Sequence, residues 1–157
     1  ALHAGTRLVI TNQARDVETP PERLRFQIVS PVPPGLQIDA TTGRLEWQTT
    51  DQWAGQQVEL TVEVTDDHTP PGRAGRTFRV VIRPRPQLAV RSLAKGTYRL
   101  EWQSIPGTQY QLEWTERLGE ANWLPAGPSL TATAEWMHIL LSTAESASRF
   151  YRVRVLP

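Results

Sequence analysis

The sequence predicts an all-β chain folded as two small sandwich domains in tandem. Three observations carry this. Apolar and polar residues alternate with period two along most of the 157 residues. Gly- and Pro-rich turn signals separate the alternating runs at short intervals. One segment, Pro84-Arg85-Pro86, breaks the pattern, which then restarts. Two prolines flanking one residue cannot join a central ladder and favour an extended joint.

The runs, taken in order, each place one face inward and one in water. Leu8 and Ile10 open the series. Leu24, Phe26 and Ile28 share a face opposite Arg25 and Gln27. Pro33-Pro34-Gly35 then turns the chain into Leu36-Gln37-Ile38. Thr42-Gly43 reads as the tip of a hairpin leading to Leu45 and Trp47, which alternate with Arg44, Glu46 and Gln48. Asp51 to Gly55 has room for one helical turn. Val58, Leu60, Val62 and Val64 form the next inward set, and Pro70-Pro71-Gly72 links it to Phe78, Val80 and Ile82. Beyond the joint come Leu88 and Val90, then Tyr98, Leu100 and Trp102. Pro106-Gly107 turns the chain into Tyr110, Leu112 and Trp114. Met137, Ile139 and Leu141 follow, and Tyr151, Val153 and Val155 close the series. The expected domains are residues 1–84 and 87–157.

Composition narrows the role. Hydrophobic residues make up 39%, enough for packed cores. No apolar run approaches the ~18 residues that cross a bilayer, so membrane insertion is not expected. Basic and acidic residues number 17 and 16 and are evenly distributed, which gives no basic field for nucleic acid. Arg79, Arg83 and Arg85, and Arg149, Arg152 and Arg154, cluster locally and read as solvated strand faces rather than a phosphate site. Cysteine is absent, which removes disulfides, thiolate metal sites and thiol nucleophiles together. The first residue is Ala1 rather than Met, which implies processing or excision from a longer chain.

Two resemblances sharpen the reading. The run Pro34-Gly35-Leu36-Gln37-Ile38-Asp39, continued by Thr42-Gly43-Arg44-Leu45-Glu46-Trp47, is the most specific part of the first. With Ala14-Arg15-Asp16-Val17-Glu18, Leu24-Arg25-Phe26 and Val62-Glu63-Val64-Thr65-Asp66-Asp67, it resembles the cadherin-like, Ig-like repeats of large secreted bacterial proteins over roughly residues 5–83. Such repeats begin with a strand ahead of the one at Leu8, and almost nothing stands there. In the second half, Leu100-Glu101-Trp102, Tyr110-Gln111-Leu112-Glu113 and Phe150-Tyr151-Arg152-Val153-Arg154-Val155 resemble a fibronectin type III module. That resemblance places Tyr151 at a tyrosine corner and leaves out the usual seventh strand. The resemblances together imply tandem Ig-like and fibronectin III-like β-sandwiches.

Nucleophile-elbow, phosphate-loop, zinc-protease and EF-hand patterns are absent. His3, His68 and His138 lie far apart and read as exposed loop or strand residues. The cadherin resemblance would put calcium ligands at Asp16, Glu18, Asp66 and Asp67. Calcium takes six to eight oxygens. The D-R-E segment and Asp-Asn-Asp linker of true cadherins are missing, and Arg85 stands where a cation would be held. The alternative is that these acids cap turns. Trp47, Trp102 and Trp114 alternate with polar neighbours and read as core. Trp53 and Trp123 sit in loops and read as packing on their sandwiches. Trp136 points away from Met137, Ile139 and Leu141, on the face of His138 and Leu140. There it stacks on a sugar or packs against a neighbouring segment or a partner domain, the packing being expected.

The expected role is therefore non-catalytic: a structural and interaction module pair of a secreted or cell-surface bacterial protein. It would space, present or assemble other parts. Its expected partners are other domains of the same longer chain, with a protein or a glycan besides. No cofactor is expected apart from the calcium weighed above. The runner-up is a carbohydrate-binding accessory region of a polysaccharide-acting enzyme whose catalytic domain would precede Ala1.

Overall fold

The computed structural model describes residues 1–94, 96–119, 121–142 and 148–157. The chain divides into two compact units, Ala1–Pro84 and Arg85–Pro157. Both are all-β. Helix among the described residues is limited to two 3-10 turns, Pro21–Arg23 and Asp51–Trp53.

In the N-terminal unit the strands are β1 (Leu2–His3), β2 (Arg7–Thr11), β3 (Arg25–Ile28), β4 (Leu36–Ile38), β5 (Arg44–Gln48), β6 (Gln57–Thr65) and β7 (Arg73–Arg83). They form one sheet of order β1-β7-β6-β3 and another of order β2-β5-β4. Leu45, Trp47, Leu60 and Ile82, drawn from both sheets, are wholly buried between them. Trp47 lies opposite Leu8 on one side and Leu36 on the other. Trp53 meets its indole edge-on, with centroids 5.2 Å apart, as the capping role expected of that loop requires. The β4–β5 tip needs Gly43: φ is +66°, and a Cβ there would stand 2.6 Å from the Asn12 carbonyl oxygen. The strand expected to be missing ahead of Leu8 is present as the two-residue β1, parallel to β7 with Leu2 opposite Ile82.

His3 corrects an expectation. It is buried rather than exposed, and its Nδ1 lies 2.6 Å from the carbonyl oxygen of Pro84. Burial pushes its pKa below the ordinary histidine value; the bond to Pro84 opposes this and Arg83 adds to it. The unfolded chain therefore takes up this proton at higher pH than the folded one. The resulting stability is present above about pH 6.5 and is lost as pH falls through the lower folded value. His68 has the opposite sign. Asp66 raises its pKa through a hydrogen bond and through charge, so its contribution is present below about pH 6.5 and lost above the folded value. The expected result is that His3→Gln flattens the loss of stability between about pH 7 and about pH 5, while His68→Gln steepens it. Urea melts of both variants check this, and identical pH profiles would refute it.

The C-terminal unit comprises β8 (Ala89–Ala94), β9 (Thr97–Gln103), β10 (Gln109–Thr115), β11 (Leu124–Pro125), β12 (Leu130–Thr131), β13 (Trp136–Ser142) and β14 (Phe150–Val155). One sheet runs β13-β9-β8. In the other, β10 carries β11 and β12 along one edge and β14 along the opposite one. Trp102, Tyr110, Leu100 and Leu112 are buried between the sheets. The Tyr110 hydroxyl accepts a 2.9 Å bond from the Ile105 N–H. Thus Tyr110, rather than Tyr151, ties a hydroxyl to backbone a few residues upstream.

Three further residues depart from the alternation. Trp114, expected in the core, is only partly buried, and the Arg149 guanidinium covers its ring at 4.2 Å. Val90 faces Leu100 across the ladder, yet its place on edge strand β8 leaves it exposed. Glu113, on the face opposite the core, is buried because β14 lays two arginines over it. Arg152 Nε donates to it at 2.7 Å and Arg154 Nε at 3.0 Å. Arg152 also stacks on Trp123 at 4.2 Å. Two members of that basic cluster thus share one carboxylate.

Candidate functional site

The four acids that the cadherin resemblance singles out lie in two loops joined at His68. Asp16 Oδ1 accepts from the Glu18 N–H at 2.7 Å and the Thr19 N–H at 2.8 Å. Those bonds hold the Asp16 carboxyl below the usual carboxylate range. Asp66 Oδ1 accepts from the N–H groups of His68 and Gly72 at 3.1 and 2.8 Å. Desolvation raises the Asp66 pKa, but these bonds and the His68 ring outweigh it and leave the pKa lowered. His68 Nδ1 stands 3.3 Å from Asp66 Oδ2 and 3.2 Å from the Thr19 hydroxyl. Asp67 pairs with Arg23 at 3.3 Å. This donor set does not fit calcium. One oxygen each of Asp16 and Asp66 is engaged by N–H donors, and the ring at the centre is a raised-pKa histidine. Among the described residues no three His, Asp or Glu side chains converge as a metal cage. Asp16 and Asp66 cap turns, and Asp67 makes an exposed ion pair.

The second site is the outer face of the β13-β9-β8 sheet. Period two turns Trp136, His138 and Leu140 of β13 outward, and Trp136 is 62% exposed and Leu140 61%. Within this unit no neighbouring segment among the described residues covers Trp136, and its ring is open. Register sets its neighbours. Trp136 lies opposite Gln103, His138 opposite Glu101 and Leu140 opposite Arg99, while Arg91 stands beyond Arg99 on β8. Glu101 holds both arginines, with Arg91 Nε at 2.9 Å and Arg99 Nε at 3.1 Å. Together with Trp136 and His138 they line a shallow depression of about 300 Å³.

This face presents an apolar strip of Trp136 and Leu140 beside a cross-linked row of charge. It has the means to stack on a planar or apolar surface and to hydrogen-bond at its margin. Glu101, Arg99 and Arg91 were missed by sequence reasoning. Alternation alone puts Glu101 and Arg99 on the polar face of their strand, but only the pairing of β9 with β13 brings them beside Trp136.

No protein-family model matches the chain, and no curated protein matches it. Two solved structures are similar over 99% of the chain. One, described as a cytokine receptor complex, is 14% identical with a TM-score of 0.36, and 81% of that chain is covered. The other, the human desmocollin-1 ectodomain, is 14% identical with a TM-score of 0.39, and 33% of that chain is covered. The all-β assignment rests on this chain's own ladders.

Proposed function

We propose that the chain is a non-catalytic pair of interaction modules from a secreted or cell-surface bacterial protein, acting to space, present or assemble its other domains. The observation that carries this is the open Trp136–Leu140 strip. A large indole and a leucine held in water on a rigid strand suit a contact surface. The Trp136 and Leu140 side chains favour a protein partner, because they are the large apolar groups this face leaves in water, while Glu101 holds Arg91 and Arg99 beside them in ion pairs. The cadherin-like and fibronectin III-like resemblances agree with an extracellular module, and the balanced charge offers no basic field for nucleic acid or an anionic membrane.

A second reading has a specific observation behind it. An open indole bordered by a carboxylate and two guanidinium groups also suits a sugar ring, whose C–H groups meet the π face while its hydroxyls meet the polar margin. The carbohydrate-binding accessory role rests on that. Sedimentation with a panel of insoluble polysaccharides separates the readings. The expected result is no retention of the chain on any of them. Retention that disappears in Trp136→Ala would put the glycan reading first. Trp136→Ala should itself leave the melting of the C-terminal unit within about 0.5 kcal/mol of the parent, because so exposed a ring contributes little packing.

A further inference from the structure

The N-terminal sandwich is open along one side, and what lines the opening is unusual for a sandwich flank. Strand β7 is eleven residues long, but β1 covers only its last two, Ile82 and Arg83. From Arg73 to Val81 it pairs with β6 on one side and with no described strand on the other. Backbone groups that point away from β6 along this stretch form a bare sheet edge. Beside that edge lies a cleft of about 940 Å³ between β7 and the segment that follows β2. Its apolar lining includes Ile10, Phe26, Val62, Val64 and Phe78, all from the inward faces of the two sheets.

Two arginines complete it. Arg76 has the parity of Phe78, Val80 and Ile82, and it sits opposite the core residue Val62. It is thus a charged residue at an inward-facing position. Arg15 lines the opposite wall. Neither makes an ion pair with a described residue, whereas Arg73 and Arg79 on the other face of β7 are held by Glu63 and Glu59. An inward charge discourages indiscriminate pairing of bare edges. It also selects for a strand that brings a carboxylate to meet it.

We propose that this edge is a strand-acceptor site. It takes an extended segment of a partner protein that lies parallel to β7, in line with β1, with apolar side chains in the cleft and one acidic side chain against Arg76. The direction and register follow from the β1–β7 ladder, which is parallel and already sets Leu2 against Ile82. Continuing that ladder along Arg73–Arg79 takes about seven residues, and alternate ones point into the cleft. Main-chain bonds supply affinity and the Arg76 pair supplies selectivity. The site is independent of the Trp136 face and of what that face binds.

The test uses the whole chain and a capped peptide, Thr-Val-Thr-Glu-Thr-Val-Thr, whose two Val and one Glu share a face. In the proposed alignment the Glu meets Arg76 and the Val residues meet Ala74 and Phe78. Saturable binding is expected by fluorescence anisotropy, with amide shifts in the NMR spectrum concentrated on Arg73–Arg79. Arg76→Glu should weaken binding at least about tenfold, and a peptide with Lys in place of Glu should restore it to that variant. Arg76 has no ion-pair partner to lose among the described residues, so the variant should fold, and its unchanged melting is checked alongside. No saturable binding at millimolar peptide would overturn the proposal, as would binding indifferent to Arg76→Glu. Self-association of the chain that Arg76→Glu abolishes would also overturn it, by making a second copy the occupant.

Discussion

Trp47→Ala should destabilise the N-terminal unit by ~3–5 kcal/mol, a large share of the ~5–15 kcal/mol that holds a small domain together. The magnitude follows from position. Trp47 has no exposed surface, packs between Leu8 and Leu36, and supports the Trp53 ring that closes one end of the core. Alanine removes most of that volume, and two hydrogen-bonded sheets relax only in part around the cavity. Trp47→Phe keeps a ring but loses the 3.2 Å bond from Nε1 to the Pro34 carbonyl, so it should also destabilise, by less. Urea melts followed by far-UV circular dichroism measure both. A Trp47→Ala protein that melts like the parent would contradict the packing described.

Trp102→Ala should cost the C-terminal unit a similar ~3–5 kcal/mol. Trp102 is also wholly buried, tilted against Tyr110 with centroids 6.0 Å apart, and opposite Met137 on the adjoining strand. The phenylalanine variants should then part company. The Trp102 Nε1 is buried without a hydrogen-bond partner among the described residues. Trp102→Phe removes an unsatisfied donor along with some volume, so its cost relative to Trp102→Ala should be smaller than the corresponding ratio at Trp47. Melts of the four variants decide this. A Trp102→Phe loss as large a fraction of the alanine loss as at Trp47 would show that packing alone governs both sites.

The sequence by itself determined the fold class and which side of each strand is apolar. Glu46-Trp47-Gln48 and Glu101-Trp102-Gln103 each place one indole between two polar residues, and both indoles are wholly buried. The capping role of Trp53 and the outward facing of Trp136 were legible for the same reason. Alternation is a property of neighbouring residues, and strand geometry converts it directly into two faces.

Whether a face is covered depended on the tertiary structure. His3 follows a lone Leu2 and carries no periodic signal; it is buried because the chain end meets Pro84, 81 residues away. Glu113 looks like surface in sequence, and is buried because β14 brings Arg152 and Arg154 across it. Trp136 comes to share one outer face and one depression with Glu101 and Arg99 only through the β9–β13 register. Arg76 looks like one more solvated arginine until pairing with β6 sets it opposite Val62, on the inward side of an uncovered edge. Each of these outcomes turns on the alignment of strands far apart in the chain. A shift of one residue in that alignment exchanges the faces without altering the local pattern, so the pattern alone does not contain it.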